Sequence, residues 1–123
     1  MLLKNYAEFP ISITQEEIDI FCEMNKDRNP QHNRSAERVV IPGMLTLSKS
    51  LGETDVNYWT VWLVEEHLRF KKSVYLDESI IVRHTLIKEK PTPQGVFQHI
   101  KIDVKVEEEV RFTGWMKILK VPK

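Results

Sequence analysis

The hydrophobic period of the chain changes near residue 58, and this change constrains the fold more than any other feature. From there onward, apolar residues recur at every second position, which is typical of β-strands. The pattern predicts long strands over residues 58–71, 79–89, 95–107 and 110–121. In the third strand, the side chains predicted to face the core are Ile100, Ile102, Val104 and Val106, and those predicted to face solvent are Lys101, Asp103 and Lys105.

Residues 14–25 carry the start signals of a helix. Thr14 is placed to cap the helix, and Glu17 three positions later predicts a capping box. Ile13 before the cap and Ile18 after it have the spacing of a hydrophobic staple. This segment is therefore predicted to be a short helix.

A second helix is predicted over residues 43–53, GMLTLSKSLGE, and Gly52 is placed to end it. The segment is mostly apolar and has few charges, so we expect it to be buried. A short strand is expected near residues 7–13. Together these elements predict an α+β protein, with one domain over residues 1–123 in which a long antiparallel sheet wraps around one central helix.

Two features interrupt the strand pattern. Residues 107–109 predict a hairpin turn between the last two strands. Gly114 lies inside a strand, where glycine indicates a bulge or a close approach of another backbone.

Composition and charge exclude several classes of protein. The 123 residues include 18 basic and 18 acidic side chains, so the formal net charge is zero and the footprint of a nucleic-acid binder is absent. The one cysteine, Cys22, cannot form an internal disulfide, and its position on an apolar helix face predicts a core thiol. No zinc-ligand spacing and no apolar run of about 20 residues is present, so we expect no metal, no cofactor and no membrane span. The N-terminus lacks the apolar core of a signal peptide, which predicts a cytoplasmic protein.

The strand predicted over residues 58–71 begins with apolar residues on both of its faces. One face carries Tyr58, Trp62 and Val64, and the other carries Trp59, Val61 and Leu63. An antiparallel strand of this kind needs a second cover. A symmetric partner would supply it, which predicts a homodimer; the alternative is that the N-terminal segment of the same chain covers the strand.

The sequence KDRNPQHNR, residues 26–34, is a polar segment directly after the first helix. Pro30 excludes a continuing helix, and Asn29 favours turn geometry. The bend would turn Asp27 and His32 toward one cavity, and a carboxylate beside an imidazole suits general acid–base chemistry near neutral pH. The alternative is a solvated loop without a chemical role.

Gly43 follows Pro42 at the start of the predicted central helix. A helix start has free backbone N–H groups and the positive end of the helix dipole, and glycine allows another molecule to approach closely. Such an N–H group can bind a carbonyl oxygen that gains negative charge. The alternative is an ordinary helix start after a loop.

The combination of DRNPQH with IPGMLTLS resembles the MaoC-like (R)-specific enoyl-CoA hydratases and dehydratases, which have the hot-dog fold. Matching positions are Asp27, Asn29, Pro30, His32, Gly43, Met44 and Leu45. The later segment LRFKKSVYLDESIIV is similar to a strand of that family. The resemblance implies that Asp27 and His32 hold and activate a water molecule, and that the N–H group of Gly43 binds the thioester carbonyl. The implied partner is an acyl thioester of coenzyme A or acyl carrier protein.

The chain departs from that family at several positions. The connection NRSAERVVIP between His32 and Gly43 is shorter than usual, and a serine found in some members falls at Leu51. Ser48 and Ser50 are nearby, and Ser48 is predicted to be satisfied within its helix. Other departures are Ser73 in place of proline and Leu76 in place of glycine.

The remaining polar candidates are weaker. His67, His84 and His99 lie within strand patterns and are interpreted as structural. Basic residues that would suit the phosphates of coenzyme A are Arg69, Lys71 and Lys72. The leading hypothesis is a hydratase or dehydratase acting on 2-enoyl thioesters. Two rivals are a hot-dog thioesterase and a non-catalytic acyl-CoA binding module, because a fold does not fix a function.

Overall fold

A computed structural model describes residues 6–52 and 59–123. It contains a five-stranded antiparallel sheet and two α-helices. In chain order these are β1 (Tyr6–Ile11), α1 (Gln15–Asn25), α2 (Gly43–Leu51), β2 (Trp59–Phe70), β3 (Ile80–Pro91), β4 (Val96–Val106) and β5 (Glu109–Pro122), with a 3₁₀ turn over Pro30–His32. The order of strands across the sheet is β1-β3-β4-β5-β2. The predicted α+β architecture is confirmed. The predicted end of the second helix, Glu53, and the predicted start of the strand over residues 58–71, Tyr58, lie outside the described residues.

The capping box at the start of α1 is confirmed. The backbone N–H of Glu17 donates to the Thr14 hydroxyl at 3.2 Å, and the N–H of Thr14 donates to the Glu17 carboxylate at 2.9 Å. Ile18, one turn into the helix, is fully buried. The helix ends at Lys26, which adopts the left-handed conformation with φ 54°.

Helix α2 is the central helix, as predicted. Its side chains Leu45, Thr46, Leu47 and Ser50 are buried. They join a core that includes Phe112, Met116 and Ile118 from β5. The Ser48 hydroxyl donates to the carbonyl of Met44 at 3.0 Å, which confirms that this serine is satisfied within the helix.

One prediction for β4 is wrong. Ile100, Ile102, Val104 and Val106 are buried as expected, but Lys105 is buried too. The register with β5 shifts between Val104 and Lys105 by one extra residue, Arg111, which lies in β5. The alternation within β4 therefore continues, and Lys105 is buried on the face opposite Val104 and Val106. The ammonium group of Lys105 lies 3.5 Å from carboxylates of both Glu8 and Glu108, which compensates for its burial.

The hairpin turn between β4 and β5 forms at Glu107 and Glu108, both of which have positive φ. At Gly114 the register with β2 is continuous, and a Cβ atom there would overlap the carbonyl oxygen of His67. Of the two alternatives for Gly114, the structure shows the close backbone approach.

Strand β2 is an edge strand, and it leaves large apolar side chains exposed. The exposed fractions of Trp62, Leu63 and Val64 are 60%, 43% and 56%. The described part of the N-terminal segment does not cover them, because β1 pairs with β3 at the opposite edge of the sheet. Within residues 6–52 and 59–123, therefore, the N-terminal segment does not cover the apolar side chains of β2, so that alternative to a partner chain is not observed.

Candidate active site

The loop after α1 is shaped by a network of short-range hydrogen bonds. The N–H of Asp27 donates to the carbonyl of Cys22 at 2.9 Å, and the N–H of Asn29 donates to the Asp27 carboxylate at 3.1 Å. The Asn29 side chain accepts the N–H of Gln31 at 3.2 Å, and Pro30 begins the 3₁₀ turn. Asn29 and Pro30 therefore fold the chain back toward Asp27.

This fold-back brings Asp27 and His32 together. Oδ2 of Asp27 lies 3.4 Å from Nε2 of His32. The histidine is 7% exposed, whereas about a third of the aspartate side chain (34%) is exposed. The partly exposed carboxylate of Asp27 therefore lies beside a buried imidazole.

A backbone contact at the other ring nitrogen of His32, Nδ1, shows where the ring carries a hydrogen. Nδ1 lies 2.5 Å from the carbonyl oxygen of Val40. A carbonyl oxygen can only accept, so Nδ1 carries a proton, and in the neutral form of the ring Nε2 is the nitrogen with the free lone pair. The side chain of Gln15 donates to the His32 carbonyl at 3.0 Å and ties the 3₁₀ turn to α1.

Val40 is a positioning residue that the sequence did not reveal. Its N–H donates to the carbonyl of Gln31 at 2.9 Å, and the next N–H, that of Ile41, donates to Val74 at 2.8 Å. A further bridge pairs Val40 with Tyr75. The short connection before Gly43 is therefore held against the segment after β2. A backbone carbonyl has no residue-type signature, so no sequence motif marks this contact.

Gly43 is the first residue of α2. The N–H groups of Leu45 and Thr46 donate to the carbonyl of Pro42, at 3.0 and 3.4 Å. Among the described residues, the N–H of Gly43 donates to no acceptor outside its helix. It is a free donor at the positive end of the helix dipole.

Phe70, at the end of β2, covers Gly43. A Cβ atom built on Gly43 would overlap the Phe70 ring, lying 2.9 Å from Cδ1 and 3.0 Å from Cζ. The same ring lies 5.0 Å from that of buried Phe112, centroid to centroid. A side chain at position 43 would therefore force the Phe70 ring to move. Sequence reasoning missed Phe70, because 27 residues separate it from Gly43.

One cavity contains all three candidate groups. It has a volume of about 430 Å³ and is lined by Asp27, His32 and Gly43. Its apolar walls come from Phe21, Val40, Ile41, Pro42, Met44, Phe70, Val74 and Phe112. A carboxylate, an imidazole and the first residue of α2 therefore line the same space, together with Lys71 and Lys72. Such a set can hold a water molecule beside a polarised carbonyl group.

Arg69 does not line this cavity, although it adjoins Lys71 in sequence. It lies on a separate cavity of about 460 Å³, together with His67, His99 and Trp115. The ring of His67 stacks on Trp115 at 4.2 Å, and the ring of His99 meets Trp115 edge-on at 5.0 Å. The three basic residues considered for phosphate binding are therefore divided between two cavities.

His84 and Ser50 form a buried contact elsewhere in the core. The Ser50 hydroxyl and Nε2 of His84 are 2.6 Å apart, and neither residue lines the cavity that contains Asp27. Burial lowers the pKa of His84 to about 4, with a further contribution from the positive charge of Lys120. His84 is neutral near pH 7 and packs edge-on against Phe9.

Comparison with known proteins identifies the fold. No family model matches the chain, and no curated protein matches its sequence. Among solved structures, the (R)-hydratase from A. caviae involved in PHA biosynthesis aligns over 99% of this chain and 98% of its own, with a TM-score of 0.77 and 17% identity. The chain has the hot-dog fold.

Two further solved structures share the fold. R-hydratase PhaJ1 from Pseudomonas aeruginosa aligns over 100% of this chain and 84% of its own, with a TM-score of 0.75 and 18% identity. A MaoC-like dehydratase aligns over 98% of this chain at a TM-score of 0.72 and 13% identity, and this chain covers 42% of its length. The fold expected from the DRNPQH and IPGMLTLS segments is confirmed.

Neither helix within residues 6–52 and 59–123 is long and apolar enough to cross a membrane. In the same ranges, no group of three or more histidine, cysteine, aspartate or glutamate side chains is arranged to hold a metal ion.

Proposed function

We propose that this hot-dog protein is a hydratase or dehydratase that interconverts a 2-enoyl thioester and an (R)-3-hydroxyacyl thioester. The observation that carries the proposal is that Asp27, His32 and Gly43 line one cavity, and that the N–H of Gly43 donates to no acceptor among the described residues. The hot-dog fold shared with two (R)-hydratases supports it. Asp27 and His32 are proposed as the catalytic residues.

The acid–base step begins with a water molecule beside Asp27 and His32. Nε2 of His32 and Oδ2 of Asp27 lie 3.4 Å apart, so one water can contact both and donate a hydrogen to the group that takes its proton. As its oxygen bonds to C3 of the enoyl group, one O–H bond breaks and that proton passes to the Asp27–His32 pair. The pair then delivers a proton to C2, which completes the addition of water. The reverse sequence removes water.

The Val40 carbonyl makes His32 suitable for this role. Because it accepts the hydrogen on Nδ1, the second nitrogen is kept free to accept a proton from water. If that proton resides on the ring, the resulting imidazolium lies between the Val40 carbonyl and the Asp27 carboxylate. Both are negative in character and stabilise it.

Gly43 supplies the complementary stabilisation. Bond formation at C3 moves electron density through C2 to the thioester oxygen. A fixed N–H donor at the start of α2 stabilises that charge as it develops, with help from the helix dipole. No metal ion or organic cofactor takes part in this scheme.

The proposed substrate is an acyl thioester of coenzyme A or acyl carrier protein. Lys71 and Lys72 line the cavity and suit the negatively charged carrier of either thioester. The proposal includes a cytosolic setting, because the single thiol of the chain, Cys22, is free.

We further propose that two copies associate through β2. Strand β2 is an edge strand with three consecutive exposed apolar side chains, Trp62, Leu63 and Val64. An exposed apolar edge favours pairing with another chain, and a second copy is the simplest symmetric partner.

The experiment that tests the proposed reaction mixes the protein with crotonyl-CoA and follows loss of the conjugated enoyl absorbance. Loss of absorbance without release of free thiol is expected. Thiol release instead would identify a thioesterase, and tight binding without turnover would identify a binding module. Full activity in a double variant, Asp27→Asn with His32→Ala, would exclude the roles given to these residues.

A further inference from the structure

The ring of Phe70 is a wall of the cavity beside Gly43. Its backbone pairs with Phe112 in β5, and the N–H groups of the next two residues, Lys71 and Lys72, donate to the carbonyl of Arg111 at 3.0 and 2.9 Å. The end of β2 is therefore anchored. The side chain is nevertheless 52% exposed, so the ring borders both the cavity and solvent.

The ring lies where a side chain of residue 43 would otherwise be. Since a single added carbon on Gly43 would overlap it, the ring occupies the space on the Cβ side of Gly43. A thioester whose oxygen accepts the Gly43 N–H has its C1 bonded to that oxygen and its C2 one bond further away. A substituent on C2 then shares with the ring the part of the cavity beside Gly43, whereas carbons beyond C3 extend away from the carbonyl.

We propose that Phe70 determines specificity at C2 of the acyl group, admitting unbranched 2-enoyl thioesters and excluding those with a 2-methyl group. This inference rests on the proposed function, because it assumes that a thioester carbonyl binds at Gly43. The ring restricts branching beside the carbonyl and leaves the length of the acyl chain to other walls of the cavity.

The test compares crotonyl-CoA with 2-methylcrotonyl-CoA in wild-type protein and in the Phe70→Ala and Phe70→Leu variants. We expect the ratio of kcat/KM for the branched over the unbranched substrate to rise about tenfold or more in Phe70→Ala, and less in Phe70→Leu. The ratio for 2-octenoyl-CoA over crotonyl-CoA is expected to stay within about twofold. An unchanged branched-to-unbranched ratio in both variants would overturn the inference.

A control separates this effect from a general loss of apolar surface. Ile87 is 55% exposed and lies on the other cavity, beside Trp115. Ile87→Ala is expected to leave both substrate ratios unchanged. The Phe70→Tyr variant, which keeps the ring, should retain the wild-type preference; a tyrosine variant that behaves like Phe70→Ala would contradict a steric role.

Binding measurements distinguish failure of this inference from failure of the proposed reaction. Butyryl-CoA and 2-methylbutyryl-CoA cannot be hydrated, and their affinities are measured by calorimetry. Wild-type protein is expected to bind butyryl-CoA at least about fivefold more tightly, and Phe70→Ala is expected to remove the preference. If this holds without hydration of crotonyl-CoA, only the proposed reaction fails. Equal affinities in wild-type protein, or no binding of either thioester, would overturn the inference.

Discussion

Nδ1 of His32 lies 2.5 Å from the carbonyl oxygen of Val40, and this contact decides which nitrogen of the imidazole faces the cavity. With Nδ1 protonated, Nε2 is left opposite the carboxylate of Asp27 at 3.4 Å. In the proposed reaction, this pair accepts a proton from a bound water molecule.

Removing either member of this pair is expected to slow hydration far more than it weakens binding. Asp27→Asn and His32→Ala should each lower kcat for crotonyl-CoA by about 10²–10⁴-fold, with a much smaller change in KM, because the lost group acts on the proton transfer. Steady-state kinetics measures both constants. Matched controls are Asp77→Asn and His67→Ala, whose side chains are 65% and 60% exposed. Equal loss of activity in these controls would contradict the assignment.

Gly43 and Phe70 are expected to show strong coupling in a double-mutant cycle. Gly43→Ala should lower the free energy of unfolding by about 1–3 kcal/mol, because the new methyl group overlaps the Phe70 ring. In a Phe70→Ala background the same change should cost less than about 1 kcal/mol. Urea denaturation measures all four proteins.

Gly52→Ala is the control for that cycle. Gly52 has φ −63°, and a Cβ atom there would come no closer than 3.3 Å to the carbonyl of Lys49. Its replacement should change the free energy of unfolding by no more than about 1 kcal/mol. Equal penalties for Gly43→Ala with and without the Phe70 ring would contradict the steric explanation.

His84 is expected to make the protein less stable in acid. Its pKa in the folded protein is about 4, below the ordinary value of 6.5, so the unfolded chain binds a proton more readily. The contribution of His84 is complete above pH 6.5 and is lost as the pH falls from 6.5 to 4. The difference between the two pKa values corresponds to at most about 3 kcal/mol. Urea denaturation at several pH values measures the loss.

The His84→Gln variant should remove this part of the pH dependence, whereas the exposed His67→Gln should retain it. A variant at residue 84 whose stability still falls as steeply as that of wild type between pH 6.5 and 4 would contradict the role of His84. Ser50→Ala separately removes the hydroxyl that contacts the imidazole and is expected to destabilise the fold by about 1 kcal/mol.

The apolar edge of β2 is expected to hold a dimer together. Wild-type protein at micromolar concentration should have the mass of two chains in light scattering, and Trp62→Lys should shift it toward one, because a lysine on an edge strand opposes strand pairing. Ile20→Lys, at a residue of α1 that is 55% exposed, is the control and should not change the mass. A monomeric wild-type protein would contradict dimerisation.

The sequence by itself determined the elements and most of their faces. The capping box at Thr14, the turn that begins at Pro30 and the alternation in β4 all follow from interactions between residues a few positions apart, so local pattern was sufficient. The shape of the Asp27–His32 loop is local too, because its hydrogen bonds join residues within a few positions of each other.

Tertiary structure decided the contacts that join distant parts of the chain. The Val40 carbonyl reaches His32 because Val40 is tied to the segment after β2, and Phe70 reaches Gly43 because β2 ends beside the start of α2. Lys105 is buried because it lies beside carboxylates of Glu8, from another strand, and Glu108, and no alternating pattern within β4 encodes that contact. Backbone carbonyls, ring positions and strand registers depend on packing between elements, and a local sequence pattern records none of these.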